Sequence, residues 1–482
     1  MTDVGWMDAT AQAELVRRGD ASPQELLELA LERLGALNGE LNAAIHPLAE
    51  RARAQVAAGL AEGPFRGVPM VLKDLIQELA DEPFHEGMQY LRDLDYRPPA
   101  TTELTRRFEA AGLVICAKTN TPELGGIPTT EPLTYGPTKN PWDLDRTPGG
   151  SSGGSAACVA AGIVPVGHAN DAGGSIRNPA ARCGLVGLKP TRARVPLGPL
   201  YGDAFGGVVS ELVVTRSVRD TAGILDAVHG PEIGDPYFAP APARPYVEEL
   251  TATPEPLRIG LWTEIPGGRS ALSAEARQAV NAGARALEDL GHHLDDDHPP
   301  VLDGPQAGVN LGQIVMVSTA WAVRRWERLT GVDAEPAQLE PITRTYLEFA
   351  SKASGADLLD WTEQGQLITR AVDEWYVGGH DLLLMATVAE PPNPLGELQA
   401  ATDADVPRAL KALLPSLWLT CWVNLTGQPA ISLPLHWTSD GLPMGVQLVA
   451  RHGREDLLLR VASQLEQAVP WTDRHPPVNA IG

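Results

Sequence analysis

The sequence predicts an α/β fold in which helices cover a β-sheet. Three observations support this prediction. Segments with helical spacing of apolar residues alternate with short apolar runs that are typical of buried strands. The chain has 482 residues, of which 43% are hydrophobic, so it can form a large core. No run of apolar residues is long enough to cross a membrane as a helix.

The first elements along the chain are predicted to be helices. Ser22–Asn38 begins with a serine at the N-cap, a proline at the first helical position and a glutamate at the third. Pro47–Gly63 is predicted to be a second helix that ends at a glycine. Residues 1–65 are therefore expected to form a mainly helical N-terminal region, used as an arm for packing or dimerisation.

The rest of the chain alternates between predicted strands and helices. Gly67–Lys73 is an apolar run that places Lys73 at the end of a buried strand, and Thr101–Gly112 is a helix. A strand with the sequence LVICAKTN follows this helix. A helix of small residues that leads into a strand is predicted over Ser155–Asn170. Later strands are predicted at DLLLMAT and QPAISLP.

Charge and cysteine content restrict the partners and the compartment. The formal net charge of −23 repels phosphate backbones, so we expect no nucleic-acid partner. The four cysteines are scattered, without a CxxC motif, and are interpreted as reduced core residues rather than disulfides. The first twenty residues contain no apolar core of a signal peptide. We therefore expect a cytoplasmic protein that has no contact with membranes.

A glycine- and serine-rich stretch, GGSSGGS, covers Gly149–Ser155. A flexible linker would continue into polar sequence, whereas this stretch leads directly into the apolar segment AACVAAGIVPV. The known phosphate-binding patterns do not fit, although the start of a helix can still hold an anion. In the third interpretation, GGSSGGS forms a serine-based active site together with a second stretch, AGGS, which ends at Ser175.

A serine nucleophile needs a neighbouring base. Ser175 is followed by IRN, so the GxSxG elbow is absent, and no serine has a lysine three residues later. His168 is near in sequence, but it is interpreted as a packed or surface residue. Lys73 remains, because a partly desolvated lysine at a strand end has a lowered pKa and can act as a base.

The sequence resembles the amidase signature family. The resemblance is carried by Asn140–Val195, by the upstream run GVPMVLKD, and by the downstream runs NLTGQPAISLP and GLPMGVQLVARHGREDLLLRVASQLE. Within the family, DATAQAELVRRGD, GHANDA and GREDLLL are most similar to the 6-aminohexanoate cyclic-dimer hydrolases. The resemblance implies one amidase domain over residues 1–482, with a single large mixed sheet covered by helices on both faces.

The resemblance also implies a catalytic triad of Lys73, Ser151 and Ser175, with a cis peptide before Ser151. Ser151 rather than Ser152 is assigned as the bridging serine from its 24-residue spacing to Ser175, so Ser152 becomes a supporting hydrogen-bond partner. Lysine accepts a proton from Ser151, Ser151 accepts one from Ser175, and Ser175 attacks an amide carbonyl to form an acyl-enzyme.

Other groups are predicted to support this chemistry. The oxyanion hole is expected to consist of backbone N–H groups, those of Ala172, Gly173 and Gly174. Asp171 and Arg177 are expected to pair and to brace the loop. The resemblance implies that the substrate contacts Gly125, Gly126 and Ile127 on one segment, and Ser318 is expected to contribute a second wall.

These predictions together describe an amidase, a hydrolase of small linear or cyclic amides that include 6-aminohexanoate cyclic dimer and related oligomers. No cofactor is expected and no metal, since GHHLDDDHPP is interpreted as a solvated acidic turn. The partner is a small-molecule amide, and the resemblance makes a homodimer plausible. The alternative is the glutaminase subunit of a tRNA-dependent amidotransferase. A third interpretation, a catalytically silent binding protein, conflicts with the intact triad.

Overall fold

The strands of this chain form one mixed sheet. A computed structural model describes residues 2–268 and 270–480. In these ranges, eleven strands are hydrogen-bonded in the order β1-β3-β2-β4-β6-β5-β10-β11-β9-β7-β8. Their bounds are β1 (Ala44–Pro47), β2 (Pro69–Lys73), β3 (Val114–Thr119), β4 (Val166–Asp171), β5 (Val186–Lys189), β6 (Ser210–Thr215), β7 (Arg258–Trp262), β8 (His293–Asp295), β9 (Leu382–Ala386), β10 (Ala430–Trp437) and β11 (Pro443–Ala450).

Sixteen α-helices accompany this sheet within the described ranges. They are α1 (Ala9–Arg18), α2 (Pro23–Leu41), α3 (Ala49–Ala58), α4 (Gln89–Asp93), α5 (Glu103–Ala110), α6 (Gly153–Ala160), α7 (Arg177–Cys183), α8 (Val218–Val228), α9 (Tyr246–Glu249), α10 (Ala274–Asp289), α11 (Gln306–Thr330), α12 (Pro341–Ala350), α13 (Gly355–Val377), α14 (Glu397–Ala404), α15 (Val406–Thr426) and α16 (Glu455–Ala468). In the described part of the chain, none of them is long and apolar enough to span a bilayer.

Helices pack on both faces of the sheet, as predicted. Successive side chains of a strand point to opposite faces. A Cβ at Gly445 of β11 would lie 2.6 Å from the Cα of Ala181 in α7. The next residue, Val446, instead approaches Gly283 of α10, where its Cγ2 lies 3.3 Å from the position of an added Cβ. Thus α7 and α10 cover opposite faces, and the predicted mixed α/β sheet is confirmed.

The direction of three neighbouring strands positions the functional residues. β2 pairs in parallel with both β3 and β4. Parallel strands place their carboxyl ends at the same edge of a sheet. Lys73 at the end of β2, the segment after β3 and the loop after Asp171 at the end of β4 therefore meet at one edge.

The N-terminal region confirms one local prediction and corrects another. Ser22 caps α2, and its capping box with Glu25 is complete. The helix predicted over Pro47–Gly63 is shorter, because α3 ends at Ala58 and Gly59 follows as its C-cap. The preceding residues form β1, which pairs with β3 at the edge of the sheet. This region therefore contributes a strand as well as helices.

The contact between β11 and α7 leads to a stability prediction. Gly445→Ala should lower the free energy of unfolding by about 1–3 kcal/mol, because the new methyl group would meet the backbone of Ala181. Gly39→Ala in α2 is the control, since open space surrounds Gly39 and alanine favours a helix by up to about 1 kcal/mol. Equilibrium unfolding in urea measures both. An equal response of the two variants would contradict the close packing of α7.

Candidate active site

The amine of Lys73 is fully buried and has three oxygen neighbours. Its Nζ lies 2.7 Å from Ser151 Oγ, 3.0 Å from Ser152 Oγ and 2.6 Å from Asn170 Oδ1. Burial lowers the pKa of Lys73 to about 7, although the negative charges of Glu211 and Asp171 oppose this shift. A substantial fraction of this lysine is therefore neutral near pH 7.

The hydrogen bonds distinguish the two adjacent serines. The charged form of Lys73 donates to all three oxygens, whereas the neutral amine keeps two N–H donors and has one lone pair that can accept a hydrogen bond. The Asn170 Oδ1 atom can only accept, and the Ser152 hydroxyl already donates to the Asn170 carbonyl at 3.3 Å. Both therefore accept from Lys73. The Ser151 hydroxyl is the partner that remains to donate its proton to the amine.

A tight turn presents the two serines at the start of α6. The peptide bond between Gly150 and Ser151 is cis, as the resemblance implied. A Cβ at Gly150 would lie 2.4 Å from the carbonyl oxygen of Thr129, so a side chain does not fit there. This close approach explains the glycine at this position.

His168 packs behind the lysine, as one of the two sequence-based interpretations proposed. Its Nδ1 accepts the Lys73 backbone N–H at 3.3 Å, and its Nε2 lies 2.6 Å from Glu211 Oε2. Both side chains are fully buried. The histidine thus fixes the end of β2 and does not contact the serines through these bonds.

Ser175 lies in the loop between β4 and α7, and Asp171 organises that loop. The carboxylate of Asp171 accepts the N–H of Gly174 at 2.6 Å and the N–H of Ile176 at 3.1 Å. Gly174 has a φ of +134°, which strongly favours glycine, and a Cβ there would lie 2.4 Å from Thr420 Oγ1.

The hydrogen bond of Gly174 corrects the predicted oxyanion hole. Its N–H is directed to Asp171 Oδ1 and is not available to a substrate oxygen. The prediction for Gly174 as an oxyanion donor is therefore wrong in this structure. The carboxylate competes for this donor because it lies inside the same turn. The N–H groups of Ala172 and Gly173 remain as candidates.

Asp171 and Arg177 form the ion pair that the sequence predicted. Arg177 Nε lies 3.0 Å from Asp171 Oδ2, and both side chains are fully buried. Burial by itself raises the pKa of Asp171, but the Arg177 guanidinium outweighs it and holds that pKa well below its usual range. Asn424 of α15 donates to Asp171 Oδ1 at 2.9 Å, and its Oδ1 accepts from Arg177 Nη2 at 2.7 Å. The pair therefore connects β4, α7 and α15.

Two adjoining cavities open at Ser175. The smaller, of about 50 Å³, is lined by Ser151, Asn170 and Ser175, among others. The larger, of about 370 Å³, is mostly apolar and is also lined by Ser175. The predicted substrate-binding residues Gly125, Gly126 and Ile127 line the larger cavity.

Ser318 does not line either cavity, so this prediction is corrected. The helix α11 presents Leu311, Val315 and, at the smaller cavity, Thr319. Residues spaced by four form one stripe along a helix, and each neighbouring residue is rotated by about 100°. Ser318 is buried beside this stripe.

Sequence reasoning missed three polar residues of this site. Asn170 has no role in the predicted site, although it accepts a hydrogen bond from Lys73. Thr420 and Asn424 lie on α15, where they bind Gly173 and Asp171. Asn424 lies within the run NLTGQPAISLP, which carried part of the resemblance. The position of Asn424 in this run was the sequence feature that could have pointed to its role in the site.

Comparisons with known proteins found similar chains. The family model described as Amidase matches residues 25–459. The chain is similar to the 6-aminohexanoate-cyclic-dimer hydrolase of Paenarthrobacter ureafaciens, with 42% identity over 98% of this chain and 96% of that protein.

Solved structures show the same likeness. A structure of 6-aminohexanoate cyclic dimer hydrolase has a TM-score of 0.95 and 41% identity, and the match covers 98% of this chain and 99% of that chain. A subunit of the glutamyl-tRNA(Gln) amidotransferase of Thermotoga maritima has a TM-score of 0.74 and 24% identity, covering 95% of each chain. This last likeness shows the fold alone.

The buried ion pair leads to a second stability prediction. Asp171→Asn should lower the free energy of unfolding by about 3–5 kcal/mol, because it leaves the Arg177 charge buried without its partner. The control is Asp295→Asn, which breaks a half-exposed pair with Arg258 and should change the stability by less than about 1 kcal/mol. Urea unfolding measures both values. If the two variants lost the same free energy of unfolding, burial of the Asp171–Arg177 pair would not explain its contribution to stability.

Proposed function

Because this chain belongs to the amidase family and is an amide-cleaving hydrolase, we propose that Lys73, Ser151 and Ser175 are its catalytic residues. Ser175 is the nucleophile, Ser151 transfers the proton and Lys73 is the base. The hydrogen-bond arrangement around Lys73 Nζ is the observation that carries this proposal. It leaves the Ser151 hydroxyl as the donor to a buried amine.

The proton moves along this chain of groups twice. As the Ser175 Oγ forms a bond with the amide carbon, its proton passes to Ser151, and the proton of Ser151 passes to Lys73. The protonated Lys73 then returns a proton through Ser151 to the amide nitrogen. The C–N bond breaks, the amine leaves, and Ser175 holds the acyl group as an ester. Water hydrolyses this ester by the same proton path and restores Ser175.

The remaining residues bind or position the reacting groups. The N–H groups of Ala172 and Gly173 stabilise the oxyanion, and each such donor is typically worth about 10²–10³ in rate. Ser152 accepts a hydrogen bond from the Lys73 amine and so helps to orient it. Asp171 and Arg177 fix the loop that carries Ser175.

The larger cavity supports a substrate with apolar segments next to the amide. We propose 6-aminohexanoate cyclic dimer or related oligomers as substrates. Gly125, Gly126 and Ile127 form one wall for the methylene groups. This lining suits a methylene chain better than the polar side chain of glutamine, so the glutaminase alternative is less supported.

Other predictions remain to be tested. The residues 1–482 are proposed to act as one amidase domain that needs no cofactor or metal. A cytoplasmic location is consistent with four free, buried cysteines. The homodimer and the lack of nucleic-acid binding also stay predictions.

The buried lysine predicts a pH dependence. The ratio kcat/KM should rise with pH through a midpoint of about 7, because only the neutral Lys73 accepts a proton. Glu211→Gln should move this midpoint to lower pH, since the negative charge of Glu211 favours the protonated lysine. Glu348→Gln, which changes an exposed glutamate, is the control and should leave the midpoint unchanged. A midpoint that Glu211→Gln does not move would contradict the role of Lys73.

The nucleophile is tested by a release assay on a panel of amides. Wild-type protein and Ser175→Ala are incubated with anilides, primary amides, and cyclic and linear 6-aminohexanoate oligomers. Turnover should fall by at least about 10³-fold in the variant, because the acyl-enzyme cannot form. An unchanged rate in the variant would rule out Ser175. Failure on the oligomers but not on the anilides would reject the proposed substrate alone.

A further inference from the structure

The larger cavity contains a polar group that the proposed mechanism does not use. Its lining includes large apolar side chains, namely Ile127, Leu311, Val315, Met316 and Leu417. Lys411 also lines it, but this lysine is exposed and lies at the rim. Tyr346 lies in the lining as well and is only 8% exposed.

The hydroxyl of Tyr346 has no hydrogen-bond partner within the described ranges 2–268 and 270–480. Because Tyr346 lines the cavity, its hydroxyl is open to a polar group that enters there. Burial raises the pKa of Tyr346 to about 12, and the hydroxyl therefore keeps its proton near pH 7. It can both donate and accept a hydrogen bond.

The protein holds Tyr346 in place on the same wall as the catalytic serines. A Cβ at Gly126 would lie 3.9 Å from the ring of Tyr346, and one at the neighbouring Gly125 would lie 3.1 Å from Ser151 Oγ. The start of α12 is tied to this wall, because the Glu340 N–H donates to Glu123 Oε1 at 2.8 Å. The ring of Tyr346 thus lies beside Gly126, on the wall that also contains Gly125.

We infer that Tyr346 is a specificity-determining residue whose hydroxyl binds a second amide group of the substrate, separated from the cleaved amide by a methylene chain. This inference rests on the proposed amidase function. A 6-aminohexanoyl unit is about as long as two residues of extended chain, roughly 7 Å. Its methylene groups would lie along the apolar lining between Ser175 and Tyr346.

The chemistry of the wall favours a neutral amide over a charged end group. An amide offers one acceptor and one donor to a hydroxyl. A free ammonium would lose its hydration against apolar side chains without gaining a charged partner at Tyr346. Amides with a second, internal amide are therefore favoured over short linear compounds whose chain ends are charged.

A pair of chromogenic substrates tests this inference. Hexanoyl para-nitroanilide has one amide, and N-acetyl-6-aminohexanoyl para-nitroanilide carries a second amide at the end of the same methylene chain. Wild-type protein should have a KM about 2- to 10-fold lower for the diamide, with a similar kcat, because one additional hydrogen bond forms on binding. Tyr346→Phe should remove this difference between the two substrates.

The control variant is Tyr237→Phe, which removes the hydroxyl of a partly exposed tyrosine that bonds to Asp203 and does not line the cavity. It should retain the preference for the diamide. If Tyr346→Phe retains the preference, or if wild-type protein shows none, the inference is overturned while the amidase function stands.

A binding measurement separates this inference from the proposed catalysis. Both compounds are titrated calorimetrically into Ser175→Ala, with and without Tyr346→Phe. Tighter binding of the diamide that depends on Tyr346 supports the inference even if no anilide is cleaved, in which case the proposed function alone fails. Equal binding of the two compounds overturns it.

Discussion

The buried ion pair between Asp171 and Arg177 is the interaction on which this site depends. Two opposite charges are stable in a dry interior only if each also has hydrogen-bond partners. Asp171 meets this requirement with backbone N–H groups of the loop that carries Ser175 and with Asn424. Each buried charge needs hydrogen-bond partners. This single requirement explains both the conformation of the loop that carries Ser175 and the packing of α15.

The same dry interior controls the protonation of the Lys73 amine. Desolvation lowers the pKa of this lysine, and nearby negative charges keep it from falling further. The oxygen atoms around Nζ then decide which hydroxyl can give up its proton. The proposed role of Lys73 as a base therefore rests on its burial and on the arrangement of its hydrogen bonds, and an apolar cavity lies beside it.

Much of the fold and of the site could be predicted from local sequence. The N-cap of α2, the strand that ends at Lys73 and the helix after Ser152 depend on residues that are close in the chain. Of the residues that the resemblance implied, Lys73 and Ser151 are hydrogen-bonded, and Ser175 lines the same cavity as Ser151. The end of α3 and the position of Ser318 were wrong because helix bounds and helix rotation depend on packing partners.

The sequence alone, through its resemblance to a known family, predicted which residues carry the chemistry, since the motifs that carry the resemblance are short and local. Only the tertiary structure decided how their hydrogen bonds are shared. The Gly174 N–H is bound by Asp171, and Asn424 reaches Asp171 across 253 residues of chain. Tyr346 reaches the cavity wall in the same way, through a helix far from the motif. The physical reason is that such contacts form only after the sheet has brought distant segments to one edge.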